Sequence, residues 1–299
     1  IYFERQQLGR NVVPAILKAV NHEIDNTVFS FIPNTAETAF YGMIKELEDA
    51  ANRKKIEKLS QLGNQITAEQ IEEIILTRTR IEKIALKDVK LRTFITQDSA
   101  RDEMVSSVYD ITHGAVIPNQ DHLVVIDDSI VRGTTLKKSI LRILDRLHPK
   151  TIIIVSSAPQ IRYPDCYGID MAKMGDFIAF QACVALHKER GTTAVLDLVY
   201  QKCKEQSHLP KEQVKNYVKE VYEPFSPEEL SDKIAELLTP ADIRAQVKII
   251  YQTIEGLHHA CPNHRGDWYF TGDYPTPGGN KVVNQAFINY MEGRNERAY

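Results

Sequence analysis

Leu123-Val124-Val125-Ile126-Asp127-Asp128-Ser129-Ile130-Val131-Arg132-Gly133-Thr134-Thr135 opens with four apolar residues in a row and then turns abruptly polar. The unbroken apolar run predicts a strand buried on both faces, and Leu136-Lys137-Lys138-Ser139-Ile140-Leu141-Arg142-Ile143-Leu144 follows at helical spacing. Strand, loop and helix in that order put the loop at the carboxyl end of a strand. In an open parallel sheet that end is where ligands bind.

Ser129, Thr134 and Thr135 bring hydroxyls to the loop, Gly133 lets the backbone come close, and a helix opening near Thr134 or Thr135 presents unpaired N–H groups and a positive dipole end. These groups suit a phosphate. Asp127 and Asp128 do not, because like charges repel; they call for hydroxyls or a cation in front of them. A ligand with a phosphate at one end, a diol in the middle and a Mg²⁺-bound polyphosphate at the other satisfies every group together, and phosphoribosyl pyrophosphate (PRPP) is such a ligand. The competing reading is an ordinary strand-to-helix turn with an N-cap and solvated acids. Against it stands the cost of placing two acids directly after an apolar strand without a partner.

The run from Asp127 to Thr135 resembles the PRPP motif of type I phosphoribosyltransferases. With Ala158-Pro159-Gln160-Ile161-Arg162-Tyr163-Pro164 and Tyr167-Gly168-Ile169-Asp170-Met171 it resembles, more narrowly, the glutamine PRPP amidotransferase family, with gaps, from about Ile1 to about Asp197. The resemblance implies an α/β, type I phosphoribosyltransferase fold over residues 1–200, a mainly parallel sheet flanked by helices, followed by a C-terminal helical extension over 201–299. It implies a transferase that forms 5-phosphoribosylamine from PRPP and ammonia and releases diphosphate, the first step of de novo purine nucleotide biosynthesis. Asp127, Asp128 and Arg92 would act at the reacting centre; Asp127, Asp128, Ser129, Ile130, Val131, Arg132, Gly133, Thr134 and Thr135 would hold PRPP. Asn34, Thr35 and Ala36 would form the pyrophosphate loop, and Thr35, Asp127 and Asp128 would face Mg²⁺, itself held largely through PRPP and water. In the family the ammonia comes from a glutaminase domain, purine nucleotides act as feedback inhibitors, and the chains form homo-oligomers. A salvage phosphoribosyltransferase and a non-catalytic PRPP-binding regulator are the alternative readings.

Ile1-Tyr2-Phe3-Glu4-Arg5 is similar to the edge strand that links the glutaminase domain to the transferase domain in that family. The chain reads as a fragment of something longer, without the glutaminase domain or its terminal cysteine. Leu8 to Val20 reads as a helix, with Pro14 either kinking it or lying in its first turn. Thr27 to Pro33 reads as a strand with a loop at Asn34–Thr38 and a helix from near Ala36; a plain N-cap at Asn34 or Thr35 would explain that loop equally well. Lys45 to about Ala85 reads as a charged helical insertion, broken at Leu62-Gly63-Asn64 and restarted by a capping box from Thr67 to Gln70. Its faces are read as solvated, an oligomer contact being the alternative. Arg92-Thr93-Phe94-Ile95 resembles the opening of the family's flexible loop, so a lid that excludes water is expected over about 92–119. Thr151 to Ser157 reads as the next buried strand and Phe177 to Glu189 as a helix. Ala194 to Val199 reads as a last strand, and Glu212–Glu223, Pro227–Leu238 and Ala241–Gly256 as helices.

The 299 residues are 43% hydrophobic and 26% charged, with a net charge of −3 and both signs interspersed. That balance argues against a broad nucleic-acid or anionic-membrane surface, and no apolar run is long enough to span a membrane. The four cysteines, Cys166, Cys183, Cys203 and Cys261, are widely spaced and read as reduced thiols in a cytoplasmic chain. Some family members carry an iron–sulfur cluster, but Gly266 and Tyr269 stand where two of its cysteines would be and Asp165 where a third would. No iron–sulfur cluster is expected. His258, His259, Cys261 and His264 leave zinc as an alternative, although their spacing matches no common zinc pattern.

Overall fold

The computed structural model describes residues 1–63, 66–87, 109–167, 171–264 and 266–298. In chain order its strands are β1 (Thr27–Phe31), β2 (Arg80–Ile81), β3 (Ala85–Lys87), β4 (Tyr109–Ile111), β5 (His122–Asp127), β6 (Thr151–Ser156) and β7 (Gln246–Tyr251). Five of them form one sheet in the order β2-β1-β5-β6-β7, and every neighbouring pair is parallel. β3 and β4 pair antiparallel on their own. Residues 1–128, 134–157 and 239–260 make one unit around the sheet; residues 129–133, 158–238 and 261–299 make a second.

The first unit is held by strands apolar enough to be covered on both faces. β1, β6 and all but the last residue of β5 are buried, as parallel strands between helical layers must be. Phe29, Val124, Ile126, Ile153 and Val155 pack with Ile16, Met43 and Leu47 in one cluster. Each such side chain contributes about 1.5–3 kcal/mol when fully removed from water. The helices of this unit begin with α1 (Tyr2–Asn11), α2 (Val13–Ala19), α3 (Glu37–Leu62) and α4 (Ala68–Leu76). α1 and α3 approach backbone to backbone: a Cβ on Gly9 would lie 1.8 Å from the Ala39 carbonyl oxygen, and one on Gly42 1.8 Å from that of Gln6.

Several elements differ from the sequence reading. Ile1–Arg5 is no edge strand: Tyr2 to Asn11 is helical, because a run of Glu, Arg, Gln and Leu favours a helix and the paired glycines let it dock on α3. The helix expected over Leu8–Val20 is two helices meeting at Val12, with Pro14 in the first turn of α2. The insertion stops being helical at Leu76, and Arg80–Ile81 then pairs with β1. Ile84, read as helical, is fully buried and donates its N–H to Ser30 Oγ at 3.0 Å. The capping box formed as read, Thr67 Oγ1 accepting from the Gln70 amide and Gln70 reaching back. Ala241–Gly256 is not a helix, because Gln246–Tyr251 closes the open edge of β6 in a register running from Thr151↔Gln246 to Ser156↔Tyr251.

The second unit is helical. The last strand expected at Ala194–Val199 is instead the start of a helix, Ala194–Glu205, whose Leu196, Val199 and Cys203 are buried at helical spacing. Glu212–Glu223 holds only a short turn at Lys211–Gln213 and a short helix at Lys219–Tyr222, while Pro227–Leu238 is helical as read. Ile178–Glu189 and Pro277–Met291 meet through Phe180, which stands edge-on to Phe287 and Tyr290. Cys183 and Cys203 are buried there, and burial pushes both thiols up to about 12, so neither is a thiolate nucleophile. Among the described residues no helix is long and apolar enough to cross a membrane.

Candidate active site at the carboxyl edge of the sheet

The strand order contains one reversal. From β1 the chain passes to β2 on one side, and when it returns it forms β5 on the other side of β1 before moving on to β6. At such a switch point the loops after the two adjacent strands diverge and leave a crevice at the carboxyl edge. The pairing carries to that edge, with Phe31 opposite Ile126 and the Ile32 N–H donating to the Ile126 carbonyl at 2.9 Å. The loop after β1 contains Asn34-Thr35-Ala36; β5 ends in Asp127, and Asp128 follows it.

Asp127 is the last residue of β5 and is neither exposed nor fully buried. Its Oδ1 accepts the Asp128 N–H at 2.8 Å. Burial first, and the charge of Asp128 second, push its carboxyl up to about 7. The next strand holds the backbone of the pair: the Ser157 N–H donates to the Asp127 carbonyl at 2.9 Å and Ser157 Oγ to the Asp128 carbonyl at 3.1 Å. Sequence reasoning passed over Ser157. Its signal was position, since Ser156 ends β6 in register with Asp127, which ends β5, and Ser157 and Asp128 each follow directly.

On the β1 side Asn34 and Thr35 are exposed and Ala36 is buried; the Pro33–Asn34 peptide is cis. The plain capping alternative fails here: the N-cap of α3 is Ala36, and no side chain caps the helix. The Glu37 N–H donates to the Asn34 carbonyl at 3.3 Å, and no side chain caps the first-turn amides that follow in this 26-residue helix. Thr134 and Thr135, exposed, open the helix that follows the aspartates; it runs through a π-helical turn at Leu136–Ile140 into Leu141–Asp145. π turns recur at functional sites because they offset one turn of the helix from the next.

Ser129–Gly133 belongs to the second unit. Ile130 is buried, the Val131 carbonyl accepts the Ile178 N–H at 2.9 Å, and Arg132 pairs with Asp176 at 3.4 Å. Gly133 has φ +68, a backbone conformation that favours glycine, and a Cβ there would press on the end of the Leu238 side chain at 2.5 Å. Arg92 and most of the expected lid fall in 88–108, outside the described residues, as do Gly168, Ile169 and Asp170. The described remainder of the lid stretch contains β4.

The donors at this edge fit Mg²⁺. All are hard oxygens, and a carboxyl raised by burial beside a second carboxylate is in the state that a nearby cation relieves. Elsewhere, among the described residues, no three His, Cys, Asp or Glu side chains are grouped to hold a metal ion, His258, His259, Cys261 and His264 included. At the positions read as replacing cluster cysteines, Tyr269 donates its hydroxyl to Asp165 Oδ1 at 2.9 Å.

No family model matches the chain. Against curated proteins it is 39% identical over 90 residues to an amidophosphoribosyltransferase of Haemophilus influenzae, a match covering 30% of this chain and 17% of that protein. The chain is similar to amidophosphoribosyltransferases. Enzymes of that name from Pasteurella multocida and Escherichia coli are 44% identical over 59 residues and 41% over 58, covering 20% and 19% of this chain and 12% and 11% of theirs. The matched stretch therefore spans less than a fifth of these amidophosphoribosyltransferases. Two solved structures overlay 92% of the chain: a glutamine PRPP amidotransferase from B. subtilis complexed with ADP and GMP (TM-score 0.49, 19% identity, 42% of that chain) and an allosteric regulatory enzyme of purine biosynthesis (0.47, 20%, 41%).

Proposed function

We propose that this chain carries the phosphoribosyl-transfer step of an amidophosphoribosyltransferase: it binds PRPP with Mg²⁺ and joins ammonia to C1 of the ribose. The observation that carries this reading is the pair Asp127–Asp128 ending β5 at the switch point, its first carboxyl raised to about 7, beside the uncapped start of α3. The similarity to amidophosphoribosyltransferases supports it.

In this reading Asp127 and Asp128 accept hydrogen bonds from the ribose hydroxyls and fix the sugar. The amides and hydroxyls of the run Ser129–Thr135 hold the 5′-phosphate, and the loop Asn34–Ala36 holds the diphosphate against the first turn of α3. The bond from C1 to the diphosphate oxygen breaks, positive charge develops on the ribose ring, a C1–N bond forms, and the proton lost by nitrogen goes to solvent. The carboxylates beneath the ring stabilise that charge, and their fixed placement supplies the orientation. Mg²⁺, when bound, neutralises the departing diphosphate; Thr35, Asp127 and Asp128 are the residues that would face it. The ammonia of the whole enzyme would come from a glutaminase domain. Purine nucleotides as inhibitors and assembly into homo-oligomers belong to the same proposal.

The test is incubation with PRPP, Mg²⁺ and ammonium salt, without any nucleobase, followed by diphosphate release. Release that requires ammonia supports the reading. Release only when a nucleobase is added would make the chain a salvage enzyme, and PRPP binding without release a regulator; either overturns it.

A further inference from the structure

α3 carries its inward stripe beyond the sheet. Phe40, Met43, Ile44 and Leu47 are buried on that stripe, and steps of three and four residues continue it to Ala51, Lys54, Lys55 and Lys58. A charged run on a helix is ordinarily its solvated face; here the lysines occupy the face that was apolar one turn earlier. With Arg78, Ile24 and Ile74 they line a surface cleft. Asp25 is the single acid in the lining. Ile24 and Asp25 precede β1 and Arg78 precedes β2, so the cleft lies at the amino edge of the sheet, the opposite edge from Asp127.

Two of the cations have structural partners. Lys55 Nζ donates to the carbonyls of Ile75 and Thr77 at 3.0 and 2.6 Å and closes the end of α4, and Lys54 Nζ reaches the His22 carbonyl at 3.4 Å. Lys58 and Arg78 have no hydrogen-bond or ion-pair partner among the described residues. Both side chains are exposed and both line the cleft, so an anion bound there meets two cations that no carboxylate already pairs. Arg78 offers the planar fork, and Lys58 the point charge, that phosphate oxygens accept.

We propose that this cleft is a second ligand site, for a phosphate-bearing small molecule whose phosphate sits between Lys58 and Arg78 and whose carbon skeleton lies on Ile24 and Ile74. The site is independent of the PRPP reading, because none of its residues belongs to the carboxyl edge. Inorganic phosphate is the probe. Calorimetric titration of the full chain without Mg²⁺ at low ionic strength should show a phosphate site that Lys58→Gln/Arg78→Gln weakens tenfold or more, while Lys58→Arg and Asp127→Asn keep it. The melting temperature of the double variant without phosphate should equal that of the unsubstituted chain. Equal phosphate affinity in the double variant, or no binding to the unsubstituted chain at millimolar phosphate, overturns the proposal.

Discussion

Two aspartates bound the same strand and are treated in opposite ways. Asp121, just before β5, is fully buried and fully occupied: Oδ1 accepts Arg80 Nη1 at 2.8 Å, Oδ2 accepts the Ile117 N–H at 2.6 Å, and its carbonyl accepts the Lys150 N–H at 2.8 Å. Asp127, at the other end, has the amide of its neighbour at 2.8 Å and that neighbour's like charge, and its carboxyl is raised to about 7. One carboxylate is satisfied by the fold and ties the amino edge together. The other is held by the fold in a state the fold does not favour when charged. Such a group, at a switch point, is what places the proposed PRPP site at this edge.

The sharpest way to break this comparison is to remove each carboxylate in turn. Asp121→Ala should destabilise the protein by about 3–5 kcal/mol, because the Arg80 guanidinium and a buried amide lose their partner together; urea unfolding measures it. A loss below about 1 kcal/mol would show that Asp121 is not the structural member of the pair.

Asp127→Asn and Asp128→Asn should do the reverse. Each should weaken PRPP binding by about 1.5–3 kcal/mol, the value of one hydrogen bond to a charged group, and leave the urea midpoint at or above the original. Calorimetric titration with PRPP and Mg²⁺ reads the first and unfolding the second. Unaltered PRPP affinity in both variants would remove the site from this edge.

Gly133→Ala should cost about 1–2 kcal/mol for the left-handed backbone alone, with the contact at Leu238 adding to it. Pairing it with Leu238→Ala should recover the contact and not the backbone part, as unfolding of the two variants would show.

The smallest effect is a pH dependence, and its sign follows from the raised carboxyl. A fold that raises the Asp127 carboxyl favours its neutral form; that contribution is complete below the ordinary carboxylate range near 3.8 and is lost as pH rises through about 7. Asp127→Asn should therefore melt near the unsubstituted protein at about pH 5 and a few degrees above it at about pH 8. PRPP affinity should strengthen over the same rise in the unsubstituted chain and be flatter in the variant. A variant that loses melting temperature at high pH would reverse the sign and refute the burial argument.

The carboxyl edge was legible because its signals are local. Leu123–Ile126 could only be a buried strand, Asp127 and Asp128 could only stand at its end, and Gly133 marked the turn; β5 and Asp127 lie where those residues put them. The region around Val247–Ile250 misled, since a short apolar run with Lys248 inside it fits one side of a helix as readily as an edge strand, and only the open side of β6 chose between them. Ala194–Val199 failed for the opposite reason. β-branched residues suggested a strand, but the spacing of Leu196, Val199 and Cys203 puts all three into one buried face. Ser157 carried no motif at all; its role depends on the β5–β6 register.

By itself the sequence determined the strand–loop–helix around Asp127, the capping box at Thr67 and the glycine of the loop, because each depends on chemistry within a few residues. Only the tertiary structure decided the reversal between β1 and β5, the occupation of Asp121 by Arg80 from 41 residues away, and the meeting of Lys54, Lys55 and Lys58 with Arg78 along one cleft. Those depend on which strand lies beside which and where a helix outruns its sheet, and side chains brought together across long stretches of chain leave no period in the sequence to read.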